Sequence, residues 1–135
     1  MIDISNIINI SVLAPGTGIA PYSINNLLCL TKDTPAVSLD GDDYALYTNA
    51  ADVITQWGSG SGPADAATAL FSQSPNIISG GGVFIVAPMA SQETMDTAIT
   101  RLAALVFFGG VSYDFSADAA EVLDAAAVAQ ASRKL

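Results

Sequence analysis

The polarity of the chain changes period several times, and each change marks an element. Residues 2–12 alternate: Ile2, Ile4, Ile8, Ile10 and Val12 share one parity, Asp3, Ser5, Asn9 and Ser11 the other, with a break at Asn6-Ile7. A period of two predicts extended chain, in two short pieces, with one wet face. Ala14–Pro21 is a turn-rich link of prolines and glycines. The short apolar run Leu27–Thr31 predicts a buried strand, and Lys32 to Asp43 a loop that turns at Asp40-Gly41-Asp42. Tyr44–Tyr47 has the length of one more short strand.

From residue 48 the spacing becomes helical. Thr48 or Asn49 can cap a helix whose face is Ala50, Val53, Ile54 and Trp57, closed by Gly58. Gly58–Gly62 predicts a flexible helix–helix connection. Pro63 suits a first helical turn, Ala66, Ala67, Leu70 and Phe71 share one face, and Pro75 ends the pattern. Val83–Ala87 is apolar on both pleat faces, as a central strand covered on both sides would be. Ser91 can cap the next helix, with Glu93 and Asp96 in its first turn, a stripe of Met95, Ile99, Leu102 and Val106, and Gly109-Gly110 as its stop. Val111–Phe115 predicts a strand, and Ser116 caps a final helix to about Lys134 that buries Ala119, Val122, Leu123 and Ala126 and shows Asp118, Glu121 and Asp124 to water.

The fold class expected is therefore α/β: a mixed sheet with helices packed on it, preceded by an extended N-terminal β arm. The later strand–helix alternations ask for parallel pairing. Residues 1–21 read as arm and link, residues 22–135 as an α/β core domain. Such an alternation is expected to continue with another strand, so the core reads as incomplete at its C-terminus.

Composition narrows the function. Charged residues make up only 13% of the chain and apolar ones 51%, so much of the surface is suited to being covered. No run approaches the roughly 18 apolar residues of a membrane span, and no basic-then-apolar leader is visible. Thirteen acids against four bases (Lys32, Arg101, Arg133 and Lys134) leave a net charge of −9, which disfavours binding to a phosphate backbone. The single cysteine, Cys29, cannot form an intrachain disulfide and fits a reducing compartment. Histidine, the commonest general base and metal ligand, is absent from the sequence.

Several motifs invite a chemical reading. Pro15-Gly16-Thr17-Gly18-Ile19-Ala20-Pro21-Tyr22 resembles the nucleotide-binding turn of the ferredoxin–NADP reductase family, in which glycines admit a pyrophosphate to backbone N–H groups. Here the residues that follow make a poor helix start, and the family's later Cys-Gly element and basic residues have no counterpart. A Pro/Gly link between arm and body is the plainer reading. Gly58–Gly62 follows a helix, whereas a dinucleotide fingerprint follows a strand. Gly80-Gly81-Gly82 reads as loop, and no Lys-Ser or Lys-Thr pair completes a P-loop. Asp40, Asp42 and Asp43 lack EF-hand spacing and read as a solvated acidic turn. Asp114 lies near a strand's C-terminal end, where α/β active sites gather, but with no second carboxylate placed beside it reads as a turn or cap residue. Cys29 and Trp57 read as core. No catalytic, cofactor-binding or metal-binding set emerges, and the chain reads as a non-enzyme.

Taken in order, the segments resemble the N-terminal portion of the contractile-tail sheath proteins of bacteriophages, in the divergent sheath-like family of myophages. The features are the N-terminal Ile/Val-rich strand, the link into Asn26–Leu30, the short helix of Tyr47–Gly58 ending in Trp-Gly, and Ala67–Pro75 closing on Phe-Ser-Gln-Ser-Pro. The resemblance implies a structural protein of the virion, assembled in the host cytoplasm into a helical tube around the tail tube and contracting during infection. Its implied partners are other sheath subunits, the tail tube protein and the baseplate, with no cofactor, nucleic acid or membrane insertion. It also implies a longer subunit with a C-terminal strand arm. The residues expected to meet another subunit are Ile8, Asn9, Ile10, Ser11 and Val12, an extended piece with one apolar face suited to joining a neighbour's sheet; an ordinary first strand in the chain's own sheet is the competing reading. A small α/β domain that binds an unrelated protein is the third class left open.

Overall fold

The computed structural model describes residues 24–39 and 43–132. The elements are β1 (Leu27–Thr31), β2 (Ala45–Tyr47), α1 (Ala50–Trp57), α2 (Gly62–Phe71), a 3-10 turn (Ile77–Gly80), β3 (Phe84–Pro88), α3 (Met95–Ala103), β4 (Gly110–Tyr113) and α4 (Ala119–Ser132). They make an α/β fold with a mixed four-stranded sheet in the order β2-β3-β1-β4. β1 pairs in parallel with both β3 and β4, and β2 runs antiparallel to β3. The parallel pairing asked for by the strand–helix alternation is present. The expected N-terminal arm lies outside the described residues.

Strand parity divides the interior in two. Leu28, Leu30, Ile85 and Ala87 face α3 and α4, packing with Met95, Ala98, Ile99, Leu102 and Ala125. Cys29, Phe84 and Val86 face α1 and α2, packing with Tyr47, Val53, Trp57 and Ala67. β1 and β3 are therefore covered on both sides, which is why they read as continuous apolar runs. Fully burying each large aliphatic side chain contributes roughly 1.5–3 kcal/mol, so these two strands anchor the molecule.

Helix ends follow cap chemistry, not always at the residue expected. Asn49 caps α1, accepting from Asp52 N–H, and Gly58 closes it at a φ of 90°. Gly60 also has a positive φ, 82°, which suits the short α1–α2 connection to glycine. Ser61 caps α2, whose opening turn carries Pro63. On α1 the residues that reach the core are Val53 and Trp57, one turn apart, whereas Ile54 lies off that line and is exposed.

Several expected boundaries shift. β3 starts at Phe84, because Val83 N–H donates to the Asn26 side chain instead of a strand partner. α3 starts after Thr94, not Ser91, since Glu93 folds back to accept from Ala90 N–H. It stops at Ala103, before Gly109-Gly110, and its stripe of Met95, Ile99 and Leu102 is buried, with Val106 buried beyond it. β4 takes in Gly110 and ends at Tyr113, leaving Asp114 and Phe115 outside. α4 is capped by Asp118, which accepts from Glu121 N–H at 2.8 Å, not by Ser116. Its core-facing line runs through buried Ala125 and partly buried Val128 and Ala129, while Leu123 is 70% exposed and Ala119 and Ala126 are also exposed. A helix of alanines and valines on every side gives its sequence no single apolar stripe to orient by.

Candidate functional site

β4 is the outer strand beside β1, and among the described residues nothing pairs with its other edge. Gly110 N–H donates to Asn26 O and Asp114 N–H to Leu30 O, each at 3.3 Å. Gly110, Ser112 and Asp114 thus turn their backbone groups towards β1. Successive residues of a strand point theirs in opposite directions, so Val111 and Tyr113 present N–H and C=O at the open edge.

The side chains of those same two residues point to the α3/α4 face. There an apolar cleft of about 430 Å³ lies between α3, β4 and α4, lined by Met95, Ile99, Val111, Tyr113, Val122 and Ala129 among others. Tyr113 is 42% exposed at its mouth and stacks at a tilt on Phe115, 5.5 Å between ring centres. Open backbone groups beside an apolar cleft suit a strand with alternating apolar side chains.

Polar chemistry gathers beyond the end of β4. The chain leaving β1 continues to the α1/α2 face, and the chain leaving β4 to α4 on the other face. Such divergence is where open α/β sheets receive ligands. Asp114 was expected to stand without a second carboxylate; the structure brings Asp33 close enough to act on its charge. Asp33 Oδ2 accepts from Gly62 N–H at 2.8 Å, and Asp33 N–H donates to Thr31 Oγ1 at 3.0 Å. Asp114 Oδ2 is buried and has no hydrogen-bond partner among the described residues. Burial raises the Asp114 carboxyl above its ordinary range, the Thr31 hydroxyl pulls it back, and the Asp33 charge raises it further.

This corner is poor in the groups that catalysis uses. Burial pushes the Cys29 thiol up to about 12, the Asp114 charge adding to the effect and a hydrogen bond with Ser112 opposing it. A thiol held neutral in this way is no nucleophile, and Cys29 sits in the core as expected. Lys32 places its ammonium 4.2 Å over the Phe115 ring. No cluster of three or more potential ligands suited to a metal ion occurs among the described residues.

The other sequence candidates are dispersed. Asp43 is exposed and pairs with Arg101 at 3.4 Å, while Asp40 and Asp42 lie outside the described residues. Pro15–Tyr22 and Ile8–Val12 also lie outside them. Trp57 is core, its Nε1–H donating to Tyr47 Oη at 2.9 Å. No helix among the described residues is long and apolar enough to cross a membrane. No protein-family model matches the chain, and no curated protein matches its sequence.

The β4 edge and the Asp33–Asp114 pair were the features least visible beforehand. An edge is a property of strand order, and the carboxylates are brought together from the ends of two strands. The signals available were Asp114 at a strand terminus and, for the edge, the further strand expected to follow the last helix.

Proposed function

We propose that this chain is a structural subunit of a phage contractile tail sheath, polymerising into a helical tube around the tail tube and contracting during infection. The observation that carries the reading is the outer edge of β4, whose outward backbone groups are unpaired among the described residues and lie above an apolar cleft. An edge of this kind takes a strand from a neighbouring copy, and Ile8–Val12 has the matching pattern: Ile8, Ile10 and Val12 for the cleft side, Asn9 and Ser11 for the wet side. A contact between two different surfaces repeats from copy to copy without closing, which is how one subunit builds an open helix. The whole-chain resemblance to sheath proteins supplies the biological setting; the tail tube protein and baseplate are the remaining partners in this reading.

Negative-stain electron microscopy of the purified chain, raised in concentration, tests the reading. Tubes or stacked rings are the expected outcome. A monodisperse monomer at every concentration and salt condition overturns it.

A further inference from the structure

We propose that Asp114 is a proton-operated latch between the end of β4 and the start of α2, closed when its carboxyl is neutral and loosened when it is ionised. Three segments meet at this point. Gly62 opens α2 and lies directly against the Asp114 side chain: a Cβ on Gly62 would collide with Oδ2 and lie 2.6 Å from Cγ. Only glycine lets the helix start approach so closely. From the end of β1, Asp33 holds the same residue through the Gly62 N–H bond. The junction is thus gripped by one carboxylate that has a donor and touched by another whose buried oxygen has none.

That asymmetry makes the contact sensitive to a single proton. A buried, ionised oxygen without a donor is unfavourable, and two changes relieve it. Oδ2 can take a proton from solvent, which removes the charge and leaves the packing intact. Alternatively, the β4 end can part from Gly62 and let water supply the missing hydrogen bonds. The first prevails at low pH and the second at high pH. Burial and the nearby Asp33 charge favour the protonated form, opposed in part by Thr31. The other titratable groups nearby are the neutral Cys29 thiol on β1, Lys32 engaged with Phe115, and Asp65, exposed in the first turn of α2. Among the described residues, none of the groups that act on the Asp114 charge is a cation.

The sign follows from linkage. Because the closed form binds the proton more tightly than the open one, closure strengthens as pH falls through the raised Asp114 value and weakens as pH rises through it. The device resides in one chain and needs no assembly.

The test is NMR on the full chain with carboxyl-labelled aspartate, from about pH 3 to about pH 8, a window spanning the ordinary aspartate value. Asp114 is expected to titrate above the ordinary aspartate range. Gly62 amide protection, corrected for intrinsic exchange, should fall as pH rises through that same midpoint. Asp114→Asn, which carries no charge and offers an N–H donor, should keep Gly62 protected at every pH and abolish the step. Asp33→Asn should move the Asp114 midpoint down. Titration of Asp114 at or below the ordinary aspartate value overturns the proposal, as does a Gly62 amide indifferent to the Asp114 midpoint. Should Asp114→Asn fail to fold, the wild-type titration alone decides.

Discussion

Asn26 is 1% exposed immediately before β1. Its side-chain oxygen accepts from Val83 N–H at 3.1 Å and its amide donates to Phe107 O at 3.0 Å, while its backbone O accepts from Gly109 N–H at 2.8 Å. One residue thus joins the beginnings of β1, β3 and β4. Replacing it by alanine removes two part-buried side-chain hydrogen bonds at once, each costing about 1–3 kcal/mol. Asn26→Ala should therefore lose about 3 kcal/mol in urea unfolding. Asn26→Asp, which keeps the acceptor but buries a carboxylate with one oxygen against Phe107 O, should lose at least as much. In the sequence Asn26 appears only as the residue before an apolar run, because its partners lie 57 and 81 positions away. Asp114 is the same kind of case. Its place at a strand terminus was legible, but the approach of Asp33 and Gly62 depends on how β1, β4 and α2 converge.

At the scale of elements, pattern succeeded where one face differs from the rest. β1 was bounded to the residue, α1 was read with its cap, and the buried stripe of α3 was correct. It failed for α4, where alanine on every face carries no direction, and at the start of α3, where an ion pair decides. Arg101 donates to both Glu93 oxygens, Nε–Oε1 at 2.8 Å and Nη2–Oε2 at 3.0 Å, and Nη2 also donates to Pro88 O at 3.4 Å. The pair ties the turn before α3 to its own helix, and Asp43 adds the segment ahead of β2. The Arg101 hydrogen bond holds the Glu93 carboxyl below its usual range, outweighing the opposing effect of burial. A depressed folded value contributes stability that is present above the unfolded value, about 4.3, and lost as pH falls through the folded one. Glu93→Gln should therefore cost about 1 kcal/mol at neutral pH, the scale of a bidentate but partly exposed pair. The gap should close with acid, as read from denaturation midpoints across pH. A gap that persists below the lowered value would mean that Glu93 acts through packing.

Across the whole molecule, the fold class was legible because β1 and β3 are apolar on both faces and the helices alternate with strands. Strand order was not, since no residue pattern says that β4 crosses back to lie outside β1. Yet that order creates the open edge on which the assembly reading depends, and it can be tested at a described residue. Tyr113 directs its N–H outward, whereas the neighbouring Asp114 N–H serves the β1 ladder. Proline is tolerated on an edge strand where the lost N–H faces away from the sheet, and it prefers an extended residue before it, as Ser112 is. Tyr113→Pro should therefore keep the monomer folded, with a melting temperature close to that of Tyr113→Ala, which loses the same ring contacts. The two variants should part in assembly. Tyr113→Ala removes cleft contacts and should raise the concentration needed for polymer, while Tyr113→Pro deletes a ladder bond at the middle of the added strand and should prevent growth. Ile10→Pro should reproduce the same loss from the incoming strand without lowering the monomer's melting temperature. Sedimentation and electron microscopy read the outcome, and polymer formed normally by Tyr113→Pro would remove the β4 edge from the assembly.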